Sequence, residues 1–156
     1  MRKILFVLAV GSGILLASSA AIAADNWVGT WKLNVAKAKY SPGPAPRSQM
    51  LKFETSQGAI KLTTDTVDAQ GKATPGAYTS KFDGQEVRWA GNPDADTASP
   101  KRIDDNSYQN VWKKGGKVTI TSKGVVSRDG KTLTITQTGT DAQGRTVNTI
   151  GVYDKE

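Results

Sequence analysis

The amino-acid sequence predicts an all-β protein, an antiparallel up-and-down barrel of about eight to ten strands, on two observations and one argument. The first observation is apolar–polar alternation with a period of two. It recurs along residues 24–156, where no segment shows a convincing 3.6-residue apolar period. The second is a series of short turn signals at regular spacing between the alternating segments. The argument is closure: an antiparallel sheet of that width leaves two unpaired edges, and rolling it into a barrel removes them.

Alternation gives each segment one buried and one wet face, because successive side chains on a strand point to opposite sides. Trp27, Gly29, Trp31, Leu33 and Val35 are expected to face inward, as are Leu51 with Phe53, Ile60 with Leu62, and Tyr78 with Ser80 and Phe82. Tyr108, Asn110 and Trp112 share one face. So do Val118, Ile120 and Ser122, then Leu133, Ile135 and Gln137, then Asn148, Ile150 and Val152. The opposite faces are rich in Thr and Lys, which suits a half-exposed antiparallel sheet.

Ser56-Gln57-Gly58, Asp68-Ala69-Gln70-Gly71, Asp83-Gly84, Lys114-Gly115-Gly116, Asp129-Gly130 and Asp141-Ala142-Gln143-Gly144 all suit hairpins. The Asp-Ala-Gln-Gly turn appears twice. Its flanks do not match, so it reads as one hairpin solution used twice and not as a repeat fold. Two connections are longer. Residues 36–48 carry Pro42, Pro44 and Pro46, none of which can give a ladder N–H, and residues 91–100 form a second polar loop.

The N-terminus reads as a leader for export. Met1-Arg2-Lys3 is followed by an apolar run from Ile4 to Leu16 and by small residues ending Ala21-Ile22-Ala23. Residues 1–23 are therefore expected to be a signal peptide, cut before Ala24, with a single domain on residues 24–156. The apolar run is short for a bilayer span and ends in small residues, and no later stretch approaches membrane length. The expected location is the periplasm or the exterior. The chain has no Cys, so the domain relies on its core and not on disulfides. The net charge is +7, two units of which belong to Arg2 and Lys3. The remaining lysines are scattered singly, without the clustered footprint that nucleic-acid binding needs, and no nucleic-acid partner is expected.

With no His and no Cys, histidine- or thiolate-ligated metal sites have no ligands, and Ser-His and Cys-His pairs cannot form. Asn92, Asp94 and Asp96 alternate as calcium ligands do, but an EF-hand loop requires Gly and Glu where Thr97 and Ile103 stand. No metal, cofactor or enzymatic activity is expected.

Val28-Gly29-Thr30-Trp31-Lys32-Leu33-Asn34 resembles the Gly-X-Trp first-strand motif of the calycins, the lipocalin and fatty-acid-binding-protein barrels. The ending Ile150-Gly151-Val152-Tyr153-Asp154-Lys155 resembles the last strand of a fatty-acid-binding protein. The chain after the leader is also similar to small exported bacterial proteins of lipocalin-like character. The resemblance implies a calycin-like barrel that binds a small ligand. Two departures bear on the ligand. The place of the fatty-acid-binding proteins' helix pair holds the proline-rich loop, and Gly151 stands where their carboxylate-binding Arg precedes the terminal Tyr by two residues. The carboxylate clamp is therefore not carried over.

Trp31 is expected to be a structural plug at the barrel base, with Gly29 allowing close backbone approach. Polar residues on apolar faces point to the interior's purpose, since buried polar groups without partners are costly. They either line a cavity that holds a ligand or waters, or sit at the rims beside the turns. On the first reading Tyr78, Trp89, Asn110, Trp112, Ser122, Gln137 and Asn148 are the candidate ligand contacts, and the ligand is small and apolar or amphipathic. The alternative is an envelope interaction module with a packed core and no ligand. The leader assignment is checked by N-terminal sequencing of the exported form, which should begin at Ala24. Residues 1–23 retained in a membrane fraction would contradict it.

Overall fold

The structure is a computed structural model that describes residues 25–156, so the expected leader and the expected domain start at Ala24 lie outside the described residues. Ten strands follow one another: β1 (Gly29–Leu33), β2 (Ser48–Ser56), β3 (Ala59–Val67), β4 (Ala73–Ser80), β5 (Val87–Arg88), β6 (Thr97–Asp104), β7 (Ser107–Lys114), β8 (Lys117–Val126), β9 (Thr132–Thr140) and β10 (Thr146–Lys155). Every pairing is antiparallel, and the spatial order is β4-β3-β2-β1-β10-β9-β8-β7-β6-β5. That is an up-and-down meander whose first strand pairs with its last, and no helix occurs among the described residues.

The barrel closes between β4 and β5. There Ala77 and Ala90 exchange backbone hydrogen bonds, and the Arg102 and Gly84 N–H groups bond Phe82 O and Pro100 O. This seam is thin for a reason written in the sequence. Pro75 lies in β4 and Pro100 in β6, the strands on either side of two-residue β5, and a Pro withholds the N–H a full ladder would need. The polar loop expected over residues 91–100 is correspondingly shorter, because β6 already begins at Thr97.

Aromatic side chains seal one end. Trp27 packs on Tyr108 and Phe82, with ring centroids 5.6 and 6.2 Å apart, and Phe53 and Phe82 each lie 5.6 Å from Tyr108. Trp31 is 0% exposed, and its indole N–H donates to Trp27 O at 2.7 Å. The first described residues are fastened to the same end. Arg102 pairs with Asp25 at 2.7 Å and also bonds Asp105, and the Asn26 N–H donates to Asp105 O.

The expected inward faces hold for Trp31 and Leu33, Leu51 and Phe53, Ile60 and Leu62, and Tyr78, Ser80 and Phe82. Three assignments need correction. Val35 lies past the end of β1 and is exposed. Val118 is 59% exposed, because Trp112 pairs with Ile120 but Lys113 with Val118. Thr119 is the extra residue of a β-bulge, and an extra residue reverses the alternation beyond it. On β10 the faces are inverted: Val147, Thr149, Gly151 and Tyr153 point in, whereas Asn148 is exposed and Ile150 is 37% exposed. The register carries this, since Thr149, Gly151 and Tyr153 stand opposite the inward Gln137, Ile135 and Leu133 of β9.

Trp31→Ala should remove about 3–5 kcal/mol of stability, the usual cost of truncating a fully buried Trp. Thermal unfolding checks this, with a strong fall in Tm expected.

Candidate functional site

Above the aromatic base the interior is not filled. A cavity of about 590 Å³ runs from Phe53 and Tyr108 up to the opposite end of the barrel. Its mouth is framed by the proline-rich segment, the β3–β4 hairpin, the loop at residues 91–94 and the β9–β10 hairpin. Both Asp-Ala-Gln-Gly turns therefore stand at the same opening. Each is built the same way, with Asp68 and Asp141 accepting the N–H groups two and four residues on. Asp141 also takes the Arg145 Nε–H at 2.7 Å. Burial alone would raise the Asp141 pKa, but these donors outweigh it and hold the carboxyl below its ordinary value. The proline-rich segment is strapped across the mouth: Lys39 and Ile150 exchange backbone bonds, Asn148 N–H donates to Ser41 O, and Arg47 N–H donates to Val67 O.

Six of the seven sequence-derived contact candidates line this cavity: Tyr78, Trp89, Asn110, Trp112, Ser122 and Gln137. Asn148 does not, because the β10 face is inverted and its side chain is on the outside. Its neighbour Thr149 takes the inward position instead.

The polar lining forms two patches. One lies on the wall of β2, β3 and β10. The Tyr153 O–H donates to Gln49 Oε1 at 2.6 Å, Gln49 Nε2–H donates to Thr66 Oγ1 at 2.8 Å, and Tyr40 also lines the cavity. Gln49 was legible by parity, two residues before Leu51, but was not singled out. Tyr40 comes from a loop and carried no such signal. Tyr153 lay on the face of β10 taken as outward.

The second patch lies across the cavity on β4, β7 and the residue after β5. Trp89 packs edge-on against Tyr78 and Trp112, with centroids 5.0 and 4.9 Å away. Asn110 Nδ2–H donates to the Tyr78 hydroxyl at 3.3 Å. Gly76 makes the space for Trp89, since a Cβ there would lie 3.3 Å from the indole nitrogen and 2.8 Å from Thr64 Oγ1. Trp89 Nε1, Trp112 Nε1 and Asn110 Oδ1 are buried and have no hydrogen-bond partner in the protein. Leaving one such group unpaired costs about 1–3 kcal/mol. Burial raises the pKa values of Tyr78, Tyr108 and Tyr153, so these hydroxyls stay neutral.

Among the lining residues the only cations are Lys72 and Arg145, both in mouth hairpins, and the carboxylate of Asp141 already engages Arg145. Gly151 lies beneath the Tyr153 ring, whose Cε2 is 2.7 Å from where a Cβ would stand.

No family model matches the sequence, and no curated protein does. Solved structures do match in shape. A Schistosoma mansoni fatty acid binding protein in complex with arachidonic acid aligns at a TM-score of 0.58 and 15% identity, over 84% of this chain and 96% of that one. The REP1-NXSQ fatty acid transporter aligns at 0.54 and 16%, over 83% and 95%. A zebrafish ileal bile acid-binding protein complexed with cholic acid gives 0.49 and 12%, over 84% and 99%. At such identities the likeness establishes the fold: a calycin-like barrel of the fatty-acid-binding-protein type.

Gly151→Ala should force the Tyr153 ring out of its place and destabilise the barrel by about 1–3 kcal/mol, as overpacking does. Urea denaturation measures this; an unchanged midpoint would show that the ring yields freely.

Proposed function

We propose that this protein is an exported binding barrel that holds one small, partly apolar, uncharged ligand in its interior. The observation that carries the reading is the cavity itself, closed at one end by aromatic rings and opening between hairpins at the other. Its volume lies in the ordinary range of small-molecule sites, about 300–1,000 Å³. A rival reading as an interaction module asks for a packed interior, and the cavity weighs against it.

Two solved proteins of the same fold support an apolar ligand, one bound to arachidonic acid and the other a fatty acid transporter. The lining here favours a different head group. Without a cation inside the barrel, a buried carboxylate would lack the partner that makes its desolvation tolerable. Apolar walls such as Leu51, Leu62, Ile120 and Ile135 would supply most of the affinity, at roughly 25 cal/mol per Å² buried. The role is binding and not catalysis: below the mouth hairpins and loops, the lining offers neutral hydroxyls, amides and indoles. Delivery to the periplasm or the exterior rests on the charged start, apolar run and small residues of positions 1–23. No helix among the described residues is long and apolar enough to cross a membrane.

Trp89 and Trp112 line the cavity, so intrinsic fluorescence should report occupancy. Titration with fatty acids, long-chain alcohols and isoprenoid-like compounds should give saturable changes, strongest for the uncharged compounds. No response to any of them, with no added mass on protein purified from its own source, would refute the reading.

A further inference from the structure

The cavity's two polar patches differ in one respect: one is complete and the other is short of partners. On the wall of β2, β3 and β10, Tyr153, Gln49 and Thr66 are joined in a hydrogen-bonded chain. On the opposite wall, Trp89 Nε1 and Trp112 Nε1 have no acceptor, and Asn110 has one amide end on Tyr78 and the other on nothing. Trp89 is 7% exposed and Asn110 is 2% exposed, so bulk water does not serve them.

Resting on the binding reading above, we propose that this second patch is the head-group anchor of the ligand, and that it takes an uncharged oxygen acceptor, a carbonyl or a hydroxyl. An indole N–H can only donate, so two of the unpaired groups require an acceptor. The edge-to-face packing of Trp89 on Trp112 lets at most one N–H point at the other's ring, and a ring face is a weak acceptor. The Tyr78 hydroxyl accepts from Asn110 and retains its own proton to donate, which burial keeps in place. The free amide end of Asn110 then receives the proton of an alcohol, or gives a second donor to a carbonyl when the amide is turned over. Trp89, Trp112, Asn110 and Tyr78 are neighbours on this wall, with no Lys or Arg among them. That pattern fits a dipolar oxygen better than a full negative charge.

The test uses four probes of equal chain length: an alkane, a primary alcohol, a methyl ketone and a carboxylate. Wild-type protein should bind the alcohol and the ketone about tenfold more tightly than the alkane, the worth of one net hydrogen bond. The carboxylate should bind more weakly than either. Trp89→Phe and Trp112→Phe keep a ring and delete the N–H, and each should bring the ratio of alcohol or ketone affinity to alkane affinity close to one, whatever the smaller ring does to alkane affinity itself. Should a variant fold poorly, the wild-type indole ¹H–¹⁵N signals decide: the ketone should shift the Trp89 and Trp112 N–H resonances downfield, and the alkane should not. Equal affinity for all four probes, or unmoved indole signals on ketone binding, would overturn the anchor while leaving the binding barrel standing. If none of the four binds, both fall.

Discussion

The aromatic contacts around Tyr108 hold the barrel's shape. Trp27, Phe53 and Phe82 all meet its ring, and they come from the segment before β1, from β2 and from the turn just past β4, while Tyr108 itself stands on β7. One cluster thus ties together strands on opposite sides of the sheet order. Each such ring buries about 150–250 Å², and each well-placed pair adds about 0.5–1.5 kcal/mol beyond that area. Because so much apolar surface is gathered at one end, the other end can remain open without loss of the fold. The open interior follows from where the large side chains are concentrated.

The seam shows the same economy. A two-residue β5, flanked by proline-bearing strands, leaves little ladder between β4 and β6. What joins that side instead is the Ala77–Ala90 bridge together with the ring contacts of Trp89 to Tyr78 and Trp112. The unpaired groups of Trp89, Trp112 and Asn110 therefore sit beside the part of the wall where backbone pairing is thinnest. The hydrogen-bonded patch of β2, β3 and β10 faces it across the cavity.

Much of this was legible in the sequence, and the failures have particular causes. Leu51 and Phe53, Ile60 and Leu62, and Tyr108 and Asn110 lie on strands with one plainly apolar face, so parity gave their direction. Both faces of β10 carry apolar residues, Val147 and Tyr153 on one and Ile150 and Val152 on the other. The choice was made by the Tyr153 ring covering Gly151, a contact that parity does not contain. The bulge at Thr119 reversed Val118 in the same silent way. Strands β5 and β6 went unseen because one is two residues long and the other carries Pro100, which reads as loop. Asn110, Ser122 and Gln137 were nevertheless recovered from one rule, that a polar side chain on an apolar face needs a reason to be there.

The fastening of the first described residues has a directional consequence. Asp25 and Asn26 are held by Arg102, Asp105 and Asn106, at the turn between β6 and β7. That turn belongs to the sealed end, whereas the hairpins around the opening belong to the far end. Anything joined to the protein ahead of Asp25 departs from the bottom of the cup. A barrel tethered through that segment would hang with its opening turned away from the tether, free to fill. Severing the tether would then alter nothing that a ligand touches.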